Sequence, residues 1–272
     1  SGPRQVSGGG SKMTTLGIIG TGLIGGSIGM RGRELGWRVI GCDAEPQAVE
    51  EALACGAIDQ AVPRGAILNS ADVIVIASHT MATIAELEAM RAQQPRAAKL
   101  VVDISSVKTP IVRVARGLRN FVATHPMAGR ERSGASAATR GLFEGKTWLY
   151  VPTGDRELDW RAVEFIGAFG ATPVEVDAQE HDRIVAFTSH LPQVFGTLFA
   201  RSAEQRPGVE AYMGPVAREL MRLRHSSPAM WHDIVEANHT NIARELRLLA
   251  EQLARTADDI ENARNLYEPL PR

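Results

Sequence analysis

The sequence predicts a doubly wound α/β sheet followed by an all-helical half. Three observations carry this. Short apolar runs rich in Val and Ile alternate with amphipathic stretches as far as residue 176. The first run passes directly into a glycine-rich turn, "LGIIGTGLIGGSIG", over residues 16–29. After Asp177 glycine becomes rare and helical periodicity runs to the end.

The strands are expected at 16–20, 38–43, 72–77, 99–104, 121–124 and 147–151. Continuous apolar runs of this length are how parallel strands covered on both faces read. Between them the spacing predicts helices over 23–36, 46–55, 80–92 and 107–117. Such alternation implies a parallel sheet with helices on both sides. A helix over 156–169 and a strand over 172–176 complete this domain. Residues 1–12 read as a flexible leader or expression remnant, with Met13 as a natural start. Residues 13–177 form the expected dinucleotide-binding domain, and 178–272 a helical domain for substrate binding and dimerisation. In that half Ile242, Leu246, Leu249 and Leu253 share one helix face, which must pack on its own domain or on a second copy.

Composition narrows the function classes. The 272 residues are 44% hydrophobic and 22% charged, an ordinary globular balance. A net charge of −1 gives no basic field for nucleic acid. No apolar run reaches the 18 residues of a membrane span. Cys42 and Cys55, the two cysteines, fit a reduced cytoplasmic protein. The seven histidines show no close metal-ligand spacing, so no metal site is expected.

The glycines Gly20, Gly22 and Gly25 have the G-x-G-x-x-G spacing between a strand and a helix. The bland reading is a tight turn. The chemical reading is a Rossmann-type loop whose missing side chains let a pyrophosphate reach a helix N-terminus. Asp43 ends the second strand, 23 residues after Gly20, where a carboxylate accepts from ribose hydroxyls and repels a 2′-phosphate. Together they favour NAD over NADP. Leu23 and Ile24 at the helix start, and Ser78 beyond strand 72–77, complete the expected cofactor-binding set.

Substrate chemistry belongs just after the other strand ends. "DISSVKTP" supplies Ser105, Ser106 and Lys108, and "THPMAG" supplies His125, a residue type suited to take a proton at neutral pH. Singly, Ser106 reads as a helix cap and His125 as a loop histidine. The helical half adds His181, Asp182 and His190 in "EHDRIVAFTSHLPQ", where Pro192 is expected to kink a helix. It also adds Arg222, Arg224, His225, Trp231 and Asp233. Arginine forks suit carboxylates, although an isolated arginine is more often a solvated charge.

Taken together, "GTGLIGGSIG", "DISSVK", "HPMAGRERSG", "LFEGKTW", "EHDRIVAFTSHLPQ" and "SSPAMWHDI" resemble the prephenate/arogenate dehydrogenases of tyrosine biosynthesis, in order and rough spacing. The resemblance implies an NAD-dependent oxidative decarboxylation of prephenate to 4-hydroxyphenylpyruvate by a cytoplasmic homodimer. It makes His125 the catalytic base and gives Ser106 a hydrogen bond to the substrate hydroxyl or to His125. His190 would line the substrate pocket, with Glu131 at its entrance. Arg222, nine residues before Trp231, would hold a substrate carboxylate, and Glu219 could pair with it. Two positions depart from the pattern. His79 stands where the family usually carries a proline, and "MGPVARELMRLR" is a loose version of its lead-in, so Arg224 competes with Arg222 for the clamp. The alternatives are arogenate or 4-amino-4-deoxyprephenate as substrate, a two-domain β-hydroxyacid or imine reductase, and a non-catalytic NAD-sensing module.

Overall fold

The computed structural model describes residues 13–129 and 134–262. It divides into two compact units. The first comprises the chain to Ser105 together with Ile111–Val176; the second comprises Ser106–Pro110 and the chain from Asp177.

The first unit begins with β1 (Thr15–Ile19), α1 (Leu23–Glu34), β2 (Arg38–Cys42), α2 (Pro46–Ala54), β3 (Gln60–Ala61), α3 (Arg64–Ser70), β4 (Val73–Ile76), α4 (Thr80–Ala92) and β5 (Leu100–Asp103). Next come α5 (Thr109–Val114), whose first two residues belong to the second unit, and β6 (Phe121–Val122). The six strands form one parallel sheet in the order β3-β2-β1-β4-β5-β6. This is the Rossmann order, with its reversal between β1 and β4. Two elements escape the sequence reading: β3 is only two exposed residues, and the seven-residue α3 starts behind Pro63.

The expected strand 121–124 divides. β6 ends at Val122, and β7 (Thr124–Pro126) leaves for a second sheet in the order β7-β8-β9, with β8 (Thr147–Tyr150) antiparallel to β7 and parallel to β9 (Thr172–Glu175). Side-chain bonds drive the exit. The Asp103 carboxylate accepts the Thr124 N–H at 3.0 Å, and the Thr124 hydroxyl donates to the Asp103 carbonyl at 2.5 Å. With its amide satisfied there, Thr124 needs no partner in the first sheet, and it pairs with Tyr150 of β8 instead. Helix α6 (Arg156–Ala168) brings Phe165 against Trp148 and Phe169, which in turn pack on Phe143, with adjacent ring centroids 4.8–6.0 Å apart. Trp148 is fully buried at the centre of this cluster. Burying a side chain of that size stabilises the fold by roughly 1.5–3 kcal/mol or more.

The second unit is helical. Asp177 caps α7 (Ala178–Val185), accepting the Gln179 and Glu180 N–H groups at 2.8 and 3.1 Å. Ala186–His190 then form a π-helical turn before α8 (Leu191–Glu204). Pro192 therefore interrupts the helix as expected, but by widening it. Proline has no N–H to return to the preceding turn, and the added π-turn residue absorbs the mismatch. α9 (Pro215–Arg222) and α10 (Pro228–Glu261) follow, the latter capped by Ser227 and kinked at Asn238 (φ −123°, ψ 21°). On α10 Ile242 is buried, Leu246 and Leu249 are half-buried, and Leu253 is exposed. No helix among the described residues is long and apolar enough to cross a membrane.

Candidate active site

In the first unit the glycine loop, Asp43 and Ser78 meet where β1, β2 and β4 end. Gly20 has φ +98°, and a Cβ there would lie 2.5 Å from the Ala77 carbonyl oxygen, next to Ser78. A Cβ on Gly25 would lie 2.0 Å from the Gly20 carbonyl oxygen, so only glycine lets α1 start this close to β1. Gly22 differs, because a Cβ there would meet nothing within 4 Å. Gly22 is also the N-cap of α1 and supplies no side-chain acceptor, so the N–H groups of Leu23 and Ile24 at the first turn suit an external anion. The chemistry of this loop fits a dinucleotide pyrophosphate.

The Asp43 carboxylate accepts the Thr21 N–H at 2.6 Å and the Glu45 N–H at 3.1 Å. It braces the glycine loop while keeping lone pairs for a diol. The Ser78 hydroxyl shares a 3.0 Å hydrogen bond with Thr83. Cys42, beside Asp43, is not reactive: burial, then the Glu86 and Asp43 carboxylates, push its thiol up to about 11.

His125 sits in β7, half-buried, opposite Leu149 of β8. Its neighbours fix it from beneath. The fully buried Asp103 carboxylate accepts both Thr124 N–H and Ser105 N–H, at 3.0 and 2.9 Å. Trp148 donates its indole N–H to the Thr124 hydroxyl at 2.9 Å. One carboxylate thus braces the residue before His125 and the residue before Ser106.

The second unit holds a buried polar network. The Asp182 carboxylate accepts the N–H groups of Lys108 and Thr109 at 2.7 and 2.8 Å, and meets His181 Nδ1 at 2.8 Å. Burial pushes its pKa upward, but the hydrogen bonds from His181, Thr109 and Lys108 outweigh this and hold it below the usual carboxylate range. These bonds fix the segment that carries Ser106, which is half-buried. Asn238 Nδ2 donates to the Asp182 carbonyl at 2.8 Å and lies 3.2 Å from His190 Nδ1. His190 also meets the edge of Trp231, with centroids 5.8 Å apart. Burial lowers the pKa of His190 to about 4. His190 is therefore a neutral ring at physiological pH.

Arg222 closes α9 and is exposed; its guanidinium grips the Glu219 carboxylate at 2.7 and 3.0 Å. Arg224 instead pairs with Glu204 at 3.1 Å. Gln193 donates to the Leu223 carbonyl at 2.7 Å, and Gly196 leaves room for Leu223 against α8. These contacts tie the turn after Arg222 to the helix that follows His190. Glu131 lies outside the described residues.

The positioning residues Asp103 and Asn238 carry no role in the sequence reading. A signal for Asn238 exists. It stands between Ile234 and Ile242 in an i, i+4, i+8 row, and all three are buried. A polar residue in such a stripe has to be hydrogen-bonded.

Comparison with known proteins agrees with this layout. Residues 28–171 match the family model "Prephenate dehydrogenase, nucleotide-binding domain", and residues 177–269 match "Prephenate dehydrogenase, dimerization domain". The chain is 35% identical over 250 residues to "Probable prephenate dehydrogenase NovF" of Streptomyces niveus, covering 89% of this chain and 67% of that protein. It is 30% identical over 270 residues to the prephenate dehydrogenase of Bacillus subtilis, covering 93% and 72%. In fold it is similar to the crystal structure of prephenate dehydrogenase from A. aeolicus in complex with hydroxyphenyl propionate and NAD+, at a TM-score of 0.85, 24% identity and 93% coverage of each chain. The chain belongs to the prephenate dehydrogenase family.

Proposed function

We propose that this chain catalyses the NAD-dependent oxidative decarboxylation of prephenate to 4-hydroxyphenylpyruvate. The observation that carries it is the 30–35% identity to prephenate dehydrogenases along nearly the whole chain. Bound NAD would supply the acceptor for the hydride lost from the ring carbon that bears the hydroxyl. The glycine loop holds the pyrophosphate, and Asp43 accepts from the ribose hydroxyls and repels a 2′-phosphate. Ser78 adds a polar contact near the end of β4. His125 takes the hydroxyl proton on a ring nitrogen as the ketone develops; the ring carboxylate departs as CO2, its bonding pair passes through the ring to the oxygen, and the phenolate so formed takes the proton back. Ser106 hydrogen-bonds that hydroxyl or orients His125. His190 lines the substrate site, Glu131 stands at its entrance, and Arg222 holds a substrate carboxylate. Placing base, substrate and hydride acceptor is most of what such a reaction asks of the protein.

The second part of the reading is assembly. Phe187, Leu198, Val216 and Leu253 of the helical unit are all at least half exposed, which suits a homodimer built through it. A cytoplasmic location completes the reading.

The test is NADH production by the purified chain with prephenate and with arogenate, side by side. Turnover of prephenate with a kcat/KM above that for arogenate is the expected result. Preference for arogenate moves the substrate to the alanyl side chain. No turnover of either, with NAD bound, leaves the sensing-module reading.

A further inference from the structure

We propose that Asn238 holds His190 as a neutral ring with its proton on Nε2, so that His190 is a fixed hydrogen-bond donor to a carboxylate or carbonyl oxygen of the substrate. The proposal rests on the reading that His190 lines the substrate site.

The direction of each hydrogen bond follows from one unambiguous acceptor. The Asp182 backbone carbonyl lies 2.8 Å from the Asn238 side-chain amide. A carbonyl oxygen cannot donate, so the atom facing it is the amide nitrogen, as drawn. The other end of the amide, Oδ1, receives the Asn241 side-chain N–H at 2.7 Å, which is consistent with that orientation. The amide nitrogen has two protons. One goes to Asp182, and the other points to His190 Nδ1 at 3.2 Å. Nδ1 must therefore present a lone pair. The single proton of the neutral ring then sits on Nε2.

A charged ring is disfavoured by the same geometry, because an Nδ1–H would face the Asn238 N–H. Burial acts in the same direction and holds the ring near a pKa of about 4. The charged and titratable neighbours oppose one another: Asp182 on α7 draws the value up and His181 on α7 pushes it down. From α10, the hydrogen bond and the ring contact to it come from Asn238 and Trp231, neither of them charged.

The second observation concerns the other nitrogen. Beyond the contact at Nδ1, no hydrogen bond to the His190 ring is found among the described residues, so the Nε2 proton is available to an acceptor that a ligand brings. A neutral donor also suits the chemistry. Its strength is constant across neutral pH, and it takes no proton from the substrate, which leaves proton removal to His125. Asn238 is thus a positioning residue that acts through His190.

The experiment reads the ring directly. The chain is labelled with 15N-histidine, and long-range 15N–1H spectra are recorded on the wild type and on His190→Asn to assign the signal. The expected pattern for His190 is an unprotonated Nδ1, a protonated Nε2 and no titration between about pH 5 and pH 8. A protonated Nδ1, or a doubly protonated ring at neutral pH, overturns the proposal without recourse to any variant at Asn238. Kinetics test the consequence. Asn238→Leu, of similar volume but with no donor, is expected to raise the KM for prephenate about tenfold and to change kcat less. Asn238→Asp is expected to move the proton to Nδ1 and to make KM depend on pH near neutrality. A folded Asn238→Leu with wild-type KM overturns the positioning role. Absence of turnover in the wild type would defeat the functional reading alone, since the ring spectrum still decides the tautomer.

Discussion

His125 and His190 occupy the two units of the same chain and are placed by opposite means. His125 lies in a short strand, half in reach of solvent, with a strand partner at Leu149 and a brace from Asp103 through Thr124. His190 ends a π-helical turn and is almost fully enclosed. What fixes it comes from 48 residues away, through the Asn238 amide. A base has to exchange protons, so access serves it. A donor has only to keep one proton in one place, so enclosure and a dictated tautomer serve it. One residue type therefore yields two chemical tools because the packing differs.

The sharpest way to break this contrast is at the base. His125→Asn keeps part of the shape and one donor but cannot accept the substrate proton. The expected loss in kcat is roughly 10²–10⁴-fold, with NAD affinity nearly unchanged. Stopped-flow NADH formation, NAD titration and a thermal melt on one preparation separate chemistry from folding. If His125 only braces the loop before Pro126, the melting temperature falls and the kcat of the folded fraction stays near wild type.

Next in size is the buried carboxylate behind the enclosed histidine. Asp182→Ala leaves the Lys108 and Thr109 amides without their acceptor. At about 1–3 kcal/mol for each of the two orphaned donors, the expected loss of stability is roughly 2–6 kcal/mol. The sign with pH follows from a folded-state pKa held below the usual carboxylate value. The stabilisation is complete above the unfolded value, near pH 4, and is lost as pH falls through the lower folded value. Urea midpoints of wild type and Asp182→Ala should lie far apart at pH 7 and converge towards pH 2. A constant gap would mean that the carboxylate's charge plays no part.

The contrast between the units also explains what could be read in advance. The glycine loop and Asp43 sit at strand ends, where chain direction alone sets position, and short apolar runs mark those ends in the sequence; His125 follows the end of β6 by three residues, inside β7. The division of strand 121–124 was not legible, because it depends on Asp103 satisfying Thr124 from 21 residues away. The helical unit was legible as helices but not as a network. Asp182 and His181 stand out as residues, yet nothing local shows that their partners are Lys108, Thr109 and Asn238. The π turn before Leu191 was foreshadowed only as a proline interruption. Asn238 was visible as a polar residue within an apolar row, a pattern that predicts a buried hydrogen bond but cannot name the partner.

A smaller effect is expected on the surface of the second unit. Arg222→Ala should raise the KM for prephenate roughly 10–100-fold, the scale of a charge-assisted hydrogen bond, and alter kcat less. Arg224→Ala should do less, since that side chain is engaged by Glu204. Initial-rate kinetics on both variants rank them, and the reverse ranking would assign the clamp to Arg224.

The smallest effect is the most discriminating for the comparison between buried and exposed carboxylates. Glu219 holds Arg222 through two hydrogen bonds one helical turn apart, as Asp182 holds two amides, but it does so in water. An exposed i, i+3 pair is worth only about 0–1 kcal/mol, because solvent screens it and two long side chains lose freedom. Glu219→Gln should therefore leave the urea midpoint within that range, at every pH where Asp182→Ala is severe. Its effect on catalysis has a different origin. Glu219 competes with the substrate carboxylate for the same guanidinium, yet it also holds the fork in one orientation beforehand. Removing the charge while keeping the amide retains one acceptor and weakens the competition, so the KM for prephenate should fall or stay level, by no more than a few-fold. A KM that rises as far as in Arg222→Ala would show that orientation dominates and that the pair acts as a single clamp. A stability loss on the scale of Asp182→Ala would show that the helical unit relies on its surface as much as on its interior, and the distinction drawn between the two carboxylates would fail.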